Sequence, residues 1–440
     1  MKPASPTPRA PSKPPLDVRL GIFFLWLLVL VVPFAFAELA KESFRQPKLL
    51  AGEWLALASL ASFAWGLRRL ARVTLADVWR LPAVRLAVPC LVVATAGLAF
   101  TQHPLQVREA LLDLWIGAAA LVGWSAALPA LRLERFLTGL PWPATLMGFF
   151  GILQVHASWQ PLPLAVQTGS RLAITSFAGN PGDLGSYLVL PCLVAELVLY
   201  RRSRAGRSWG SAGTLGTVAA LAVSAYALFM TQTLAAVAAL LAGSALLWGS
   251  LLPWRRAAGL LAAGLVASAL LLAAVPALRH RVGDKVEQAR QGDWNGVLTG
   301  RLDGWRAALW MLREHPLTGA GHGAYQAEFA PAKLALLDRG VSFFQDQILV
   351  GFANAHDEFL EVGAEWGIPG LLALAWASWV LLAALRRTGL APEARALAWA
   401  GTAALAVLSL VDFPFRIALV AFPALLFLSW VLRAGEEAAA

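Results

Sequence analysis

The segment Asn354-Ala355-His356-Asp357-Glu358-Phe359-Leu360-Glu361 runs directly into an apolar stretch, so a histidine and several carboxylates stand at the edge of a hydrophobic element. Ionisable groups at a membrane boundary are costly to hold and mark functional sites by default. Asn354 is a good helix N-cap, and Asp357 three residues later gives a capping-box-like start. That spacing puts His356 in the first helical turn, where the helix dipole disfavours the imidazolium form. A neutral imidazole is what a general base, or a group orienting a hydroxyl nucleophile, requires. Glu358, Glu361 and Glu365 follow at i, i+3 and i+7 as an acidic stripe descending the helix. The structural alternative is a capped histidine at a lipid boundary. A metal site is the other alternative, but no His-x-x-x-His or Asp-x-Asp pattern accompanies it.

Three arginines could supply permanent positive charge. Arg171 lies in Thr168-Gly169-Ser170-Arg171, ahead of Gly179-Asn180-Pro181. Arg301 opens a segment in which Trp305, Leu309 and Leu312 fall at i, i+4 and i+7, an amphipathic helix stopped by Pro316. That helix is expected to lie along the membrane surface with its apolar stripe down and Arg301 near headgroup height. Arg416 closes Asp412-Phe413-Pro414-Phe415-Arg416 at another boundary. For each arginine the alternative is a side chain meeting lipid phosphates, and for Arg416 also a pair with Asp412. Gly319-Ala320-Gly321-His322-Gly323 has the look of a phosphate loop without the strand-turn-helix setting that gives one meaning, and reads as a flexible turn.

The elements that must position these residues are transmembrane helices. The 440 residues are 58% hydrophobic and 14% charged, with mean hydropathy +0.64, a composition of multi-spanning membrane proteins. Spanning-length apolar stretches fall near 18–37, 50–67, 83–100, 110–131, 137–157, 181–200, 213–230, 232–252, 257–276, 359–384, 396–411 and 416–433. The expected layout is a disordered cytoplasmic tail over 1–16, nine spans within 17–276, a long loop with amphipathic helices over 277–358, three spans within 359–433, and a short tail over 434–440. Ala35-Phe36-Ala37 resembles a signal-peptidase site, although the run before it is long enough to remain as an anchor. With the N-terminus inside, 21 of the 36 Lys and Arg residues fall in inner segments. Six fall in the short outer loops: Lys41, Arg45, Lys48, Arg108, Arg171 and Arg416. The bias puts both termini in the cytoplasm and the long loop, Arg171 and His356 outside. It also makes the net charge of +10 a topology signal, not a nucleic-acid footprint. Cys90 and Cys192 lie inside apolar runs and read as buried thiols.

Together, Arg301 with Trp305, His315 to Gly323, Ala355-His356-Asp357-Glu358-Phe359-Leu360 and Glu365-Trp366-Gly367-Ile368-Pro369-Gly370 resemble the O-antigen ligase/polymerase superfamily of bacterial membrane glycosyltransferases. Arg171 followed by Phe177 and Asn180-Pro181 is similar to the family's earlier arginine motif. The resemblance implies an all-α polytopic fold of about twelve transmembrane helices, GT-C-like, in the bacterial inner membrane, with the site facing the periplasm. It implies a metal-free, inverting transfer of a glycan from an undecaprenyl-pyrophosphate donor to a hydroxyl of lipid A-core, another glycan or a protein, with no cofactor. Within it, Arg171 and Arg301 fall on the pyrophosphate and His356 on the acceptor hydroxyl. Arg416, Trp305, Glu358 and Glu361 are further substrate contacts. Permanently charged, bidentate guanidinium groups suit a pyrophosphate leaving group where no metal acts. One departure is Thr231-Gln232-Thr233-Leu234, where relatives carry Ser-Arg. Polymerase or protein O-oligosaccharyltransferase activity would use the same chemistry. A lipid-linked-glycan flippase would instead claim Glu196, deep in the sixth span.

Overall fold

In hydrocarbon every backbone N–H and C=O needs an internal partner, so a chain of long apolar runs has helix as its local solution. The computed structural model describes residues 15–40, 42–70, 75–131, 134–159, 172, 174–344, 352–387 and 389–437, and among these no residue is in a strand. The helices are α1 (Leu16–Leu30), α2 (Arg45–Leu70), α3 (Leu75–Arg80), α4 (Pro82–Ala96), α5 (Pro104–Leu131), α6 (Glu134–Leu137), α7 (Pro141–His156), α8 (Pro181–Arg204) and α9 (Ala212–Met230). They continue with α10 (Leu234–Leu251), α11 (Trp254–Ala274), α12 (Pro276–Arg290), α13 (Trp294–Val297), α14 (Arg301–Glu314), α15 (Tyr325–Leu337), α16 (Glu358–Arg387), α17 (Pro392–Ser409) and α18 (Ala418–Glu437). The chain is a polytopic all-α membrane protein. Ten helical stretches among the described residues are long and apolar enough to cross a bilayer. α2 and α17 occupy the places of the other two expected passes. The tail expected over 1–16 lies outside the described residues except for its last two, and α18 stays helical to Glu437.

Alternate ends of the long helices meet on one face. The α1–α2 turn is tied there by Lys48, whose ammonium donates to the carbonyls of Ala35 (2.7 Å), Phe44 (3.0 Å) and Phe177 (2.7 Å). At the start of α8, Pro181 accepts from Thr233 Oγ1 ahead of α10, and Gln232 donates to Ala277 in α12 at 3.2 Å. Helices α12–α15 form a cap over this face, inside the long polar interruption expected from the sequence. α8 and α18 are the central passes, 83% and 89% of their apolar windows being buried, whereas α11 at 6% is peripheral. Small residues let these helices approach: Gly401 on α17 lies under the Phe427 ring, and Gly243 on α10 sits beside the Ala400 carbonyl.

Candidate functional site

α16 is two helices joined at a break. Gly367 has φ 67° and ψ −162°, and Pro369 two residues on has no N–H to donate. The carbonyls this frees are taken up by the glycine-rich run. Ala320 N donates to Ala364 O and Gly321 N to Glu365 O, both at 2.9 Å, while Ile368 N donates to Pro316 O at 2.7 Å. A Cβ at Gly319 would lie 2.2 Å from the Glu365 oxygen, and one at Gly367 would lie 2.6 Å from the Pro316 oxygen. The 319–323 run is therefore neither the flexible turn expected nor a phosphate loop. It is the segment that satisfies a broken membrane helix.

The first half of α16 carries the acidic stripe, and Arg416 neutralises it. The guanidinium meets Glu361 Oε1 at 3.1 Å and Glu365 Oε2 at 2.5 Å, both carboxylates being fully buried. Glu361 also accepts from Asn354 Nδ2 (2.9 Å) and Ala355 N (2.7 Å), and Glu358 accepts from Phe415 N (3.1 Å). Burial works against the Arg416 charge, but Glu361, Glu365 and Glu358 hold its proton affinity above the ordinary arginine value. Arg416 is thus paired with glutamates and not with Asp412. Glu365 further lies 3.1 Å from His322 Nδ1.

His356 is positioned differently from the sequence reading. The N-cap of α16 is Asp357, whose Oδ1 accepts from Leu360 N at 2.9 Å, because Asn354 is drawn away to Glu361. His356 precedes the helix with φ 57°, a left-handed conformation that is strained for a non-glycine residue and concentrated at functional sites. Its Nδ1 lies 3.7 Å from Asp412 Oδ1, within ion-pair range and slightly long for a hydrogen bond. The ring is walled by Phe413 (centroids 4.9 Å) and Phe352 (5.7 Å), both edge-on. Asp412 Oδ2 accepts from Ser186 Oγ on α8 at 3.0 Å. Burial alone would raise the Asp412 proton affinity, but interaction with His356, then Arg301 and Ser186, holds it below the usual carboxylate range.

Arg301 stands beside this pair, and two further cations neighbour Arg301. Arg301 donates from Nε to Val411 O (3.0 Å) and from Nη1 to Leu298 O (3.3 Å), which fixes its guanidinium next to Asp412. Only two of its five donors are used this way. Burial and the neighbouring Arg301 charge lower the proton affinity of Arg281, and burial, Arg281 and Arg301 lower that of Lys285. Lys285 also donates to Gln288 Oε1 at 3.1 Å and to the Gly296 carbonyl. Arg45 pairs bidentately with Asp183 (2.7 and 2.8 Å) and sits over the Phe413 ring. Arg171 lies outside the described residues. Gln232, in place of the relatives' arginine, is buried with φ 57° and its side-chain oxygen accepts from Leu172 N at 3.4 Å.

α14 begins and ends as expected but packs on a different face. Its buried residues are Asp303, Gly304, Ala307, Ala308 and Met311, while Leu309 is exposed and Trp305 only partly covered. Gly304 admits the backbone of Ala355, and Ala307 and Ala308 pack in the same buried cluster, a closer approach than a Trp/Leu stripe allows. Trp305 keeps an indole N–H with no partner among the described residues. Glu196, the feature a transporter would claim, is buried between α8 and α10 and accepts from Ser244 Oγ at 2.8 Å.

Sequence reasoning missed Asp412 as the histidine's partner, Arg45, Arg281 and Lys285. Arg45 carried the signal already used for Arg171 and Arg416, an outer arginine against the charge bias. Among the described residues no group of three or more His, Cys, Asp or Glu side chains is arranged to hold a metal. Residues 218–375, which span most of α9, all of α10–α15 and the broken part of α16, match a family model described as O-antigen ligase. No curated protein matches the chain.

Proposed function

We propose that this chain, placed in the O-antigen ligase/polymerase superfamily by its domain over residues 218–375, transfers a glycan from a polyprenyl-pyrophosphate carrier to an acceptor hydroxyl. The family carries a membrane glycosyltransferase-like function in surface-polysaccharide synthesis, with lipid-linked glycan and acceptor as substrates. Our finer reading is an undecaprenyl-pyrophosphate donor and a ligase-type reaction on the periplasmic face of the inner membrane, the side to which the Lys/Arg bias assigns His356.

The acceptor oxygen attacks the anomeric carbon and its proton passes to His356. The anomeric C–O bond breaks, its electron pair leaves with the pyrophosphate, and direct displacement inverts the centre. Asp412 stabilises the imidazolium that forms, as carboxylates do in histidine dyads. Arg301, Arg281 and Lys285 take up the charge that grows on the leaving pyrophosphate. Arg171, just before α8, is assigned to the same pyrophosphate on sequence grounds, and Trp305 to stacking on the glycan. Glu358, Glu361 and Arg416 act as the frame that holds the first half of α16.

The observation that supports this reading is Arg301, fixed by the Val411 and Leu298 carbonyls beside the His356–Asp412 pair, with Arg281 and Lys285 close enough to Arg301 to feel its charge. The test is product formation by purified protein in detergent from lipid-linked glycan and acceptor, with mass analysis identifying the acceptor. His356→Ala, Arg301→Ala and Arg171→Ala should each remove most turnover while leaving expression intact, on the order of 2–4 kcal/mol of barrier. Normal turnover by His356→Ala would refute the assignment. A flippase makes no product without two compartments, so product in detergent excludes that reading.

A further inference from the structure

α8 joins the candidate site to a cavity on the opposite membrane face. Ser186 near its start touches Asp412, and its last turn carries Arg201, Arg202 and Arg204. Its 24 residues span about 36 Å, a full bilayer thickness. At the far end lies a cavity of about 510 Å³ bounded by Arg201, Arg202 and Arg207, by Trp142 and by Val198 and Thr217. That size suits a ligand headgroup.

Three features give the cavity its chemistry. First, it holds three guanidinium groups against one carboxylate, Glu134, which pairs with Arg201. Arg202 has a buried Nε with no hydrogen-bond partner among the described residues, which is expensive unless a ligand supplies an acceptor. Second, its guanidinium lies against the first turn of α9, within 2.6 Å of where a Cβ on Gly213 would stand. Ser211, the α9 N-cap, makes no side-chain bond to that turn's backbone, and its hydroxyl meets Thr214 Oγ1 at 2.8 Å instead. The positive end of α9 therefore adds to the arginines. Third, the lining turns apolar one helical turn deeper. Val198 lies below Arg201 on α8 and Ala220 below Thr217 on α9, with an exposed Trp142 beside them. A cationic mouth, an interfacial tryptophan and an apolar floor fit a molecule with a phosphate head and a hydrocarbon tail.

We infer that this cavity binds the phosphate of an anionic phospholipid headgroup on the face opposite His356, with the proximal acyl chain along Val198 and Ala220. The site is independent of the transfer chemistry, which none of its residues touches. Free inorganic phosphate shares the headgroup's chemistry, so the test separates the two.

The full-length protein in detergent is titrated with phosphatidylglycerol and with phosphatidylcholine, and bound lipid is counted by native mass spectrometry. Wild type should prefer phosphatidylglycerol at least fivefold. Arg202→Gln with Arg207→Gln should lose most of that preference, and Arg202→Lys with Arg207→Lys should restore at least half. Arg386→Gln with Arg387→Gln, two arginines at the α16 end on the same face, should leave it unchanged. Equal loss in both glutamine pairs, or none in the Arg202/Arg207 pair, overturns the proposal. Displacement of the lipid by 10 mM inorganic phosphate also overturns it, in favour of a soluble phosphate site.

Discussion

Replacing Asp412 by asparagine isolates what the carboxylate charge does for His356. The side chain keeps its shape and can still accept from Ser186 Oγ, which lies 3.0 Å away, so the α8 contact survives. What disappears is a negative charge 3.7 Å from His356 Nδ1. At that separation, with an effective dielectric of ~20, the attraction to an imidazolium is about 4 kcal/mol. The asparagine dipole recovers part of it. The expected loss in kcat is therefore about 10²- to 10³-fold, at about 1.4 kcal/mol per decade. The assay is glycan transfer in detergent under saturating donor and acceptor, with folding checked by gel filtration. A purely structural role would lower the yield of active protein and leave the pH profile in place. A role in stabilising the imidazolium moves the acid limb of kcat/KM to lower pH, because the protonated ring has lost its counter-charge. Asp412→Asn turning over within threefold of wild type with an unmoved profile would refute the reasoning.

The other predictions concern the frame around that pair. Arg416→Ala leaves Glu361 and Glu365 buried without their cation, a change that typically costs 3–5 kcal/mol; folded yield should collapse, whereas a variant that folds normally and only raises KM would return Arg416 to substrate binding. Gly367→Ala forces a side chain into φ 67°, costing about 1–3 kcal/mol before the clash with Pro316, and thermal unfolding should report at least that loss. Asp412 has a folded proton affinity below its unfolded one, so its stabilising effect is present above the unfolded pKa of about 3.9 and is lost as pH falls through the folded value. The stability gap between wild type and Asp412→Asn should accordingly close as the pH falls below about 4, as thermal unfolding across acid pH measures; a gap that widens in acid would reverse the sign of this argument.

The ten helices able to cross a bilayer among the described residues were legible because lipid makes a single demand on every residue in them, and the composition of each run records it. α14 was legible at both ends for a similar reason, since Pro316 stops it locally. Its packing face was not. Helices that approach closely meet through Gly304, Ala307 and Ala308, whereas a hydrophobicity pattern points to the bulkiest side chains. The N-cap failed for a related reason: Asn354 and Asp357 are both competent caps, and the choice between them is made by Glu361, which recruits Asn354. The glycine run at 319–323 was read as a flexible turn, because its structural role lies in carbonyls at Ala364 and Glu365 that no local pattern connects to it. Asp412 and Ser186 are separated by 226 positions and meet only through the fold.

The short connection between α17 and α18 explains how such distant residues become one site. Val411 supplies the carbonyl that fixes Arg301, Asp412 faces His356, and Phe413 lies under Arg45 and against the imidazole. Phe415 N donates to Glu358, and Arg416 holds Glu361 and Glu365. Six consecutive residues thus set the cation on α14, the histidine before α16 and the acidic half of α16 relative to one another. The break at Gly367 makes this possible. A continuous helix would carry its carboxylates wherever the distal half of α16 pointed, whereas a half-helix from Glu358 to Trp366 can take its direction from the loop. Its freed carbonyls then need another partner, which the 316–321 segment provides. The glycines, the three glutamates and Arg416 are therefore one device for holding His356 and Arg301 at a fixed separation, and the charge they carry is used on one another.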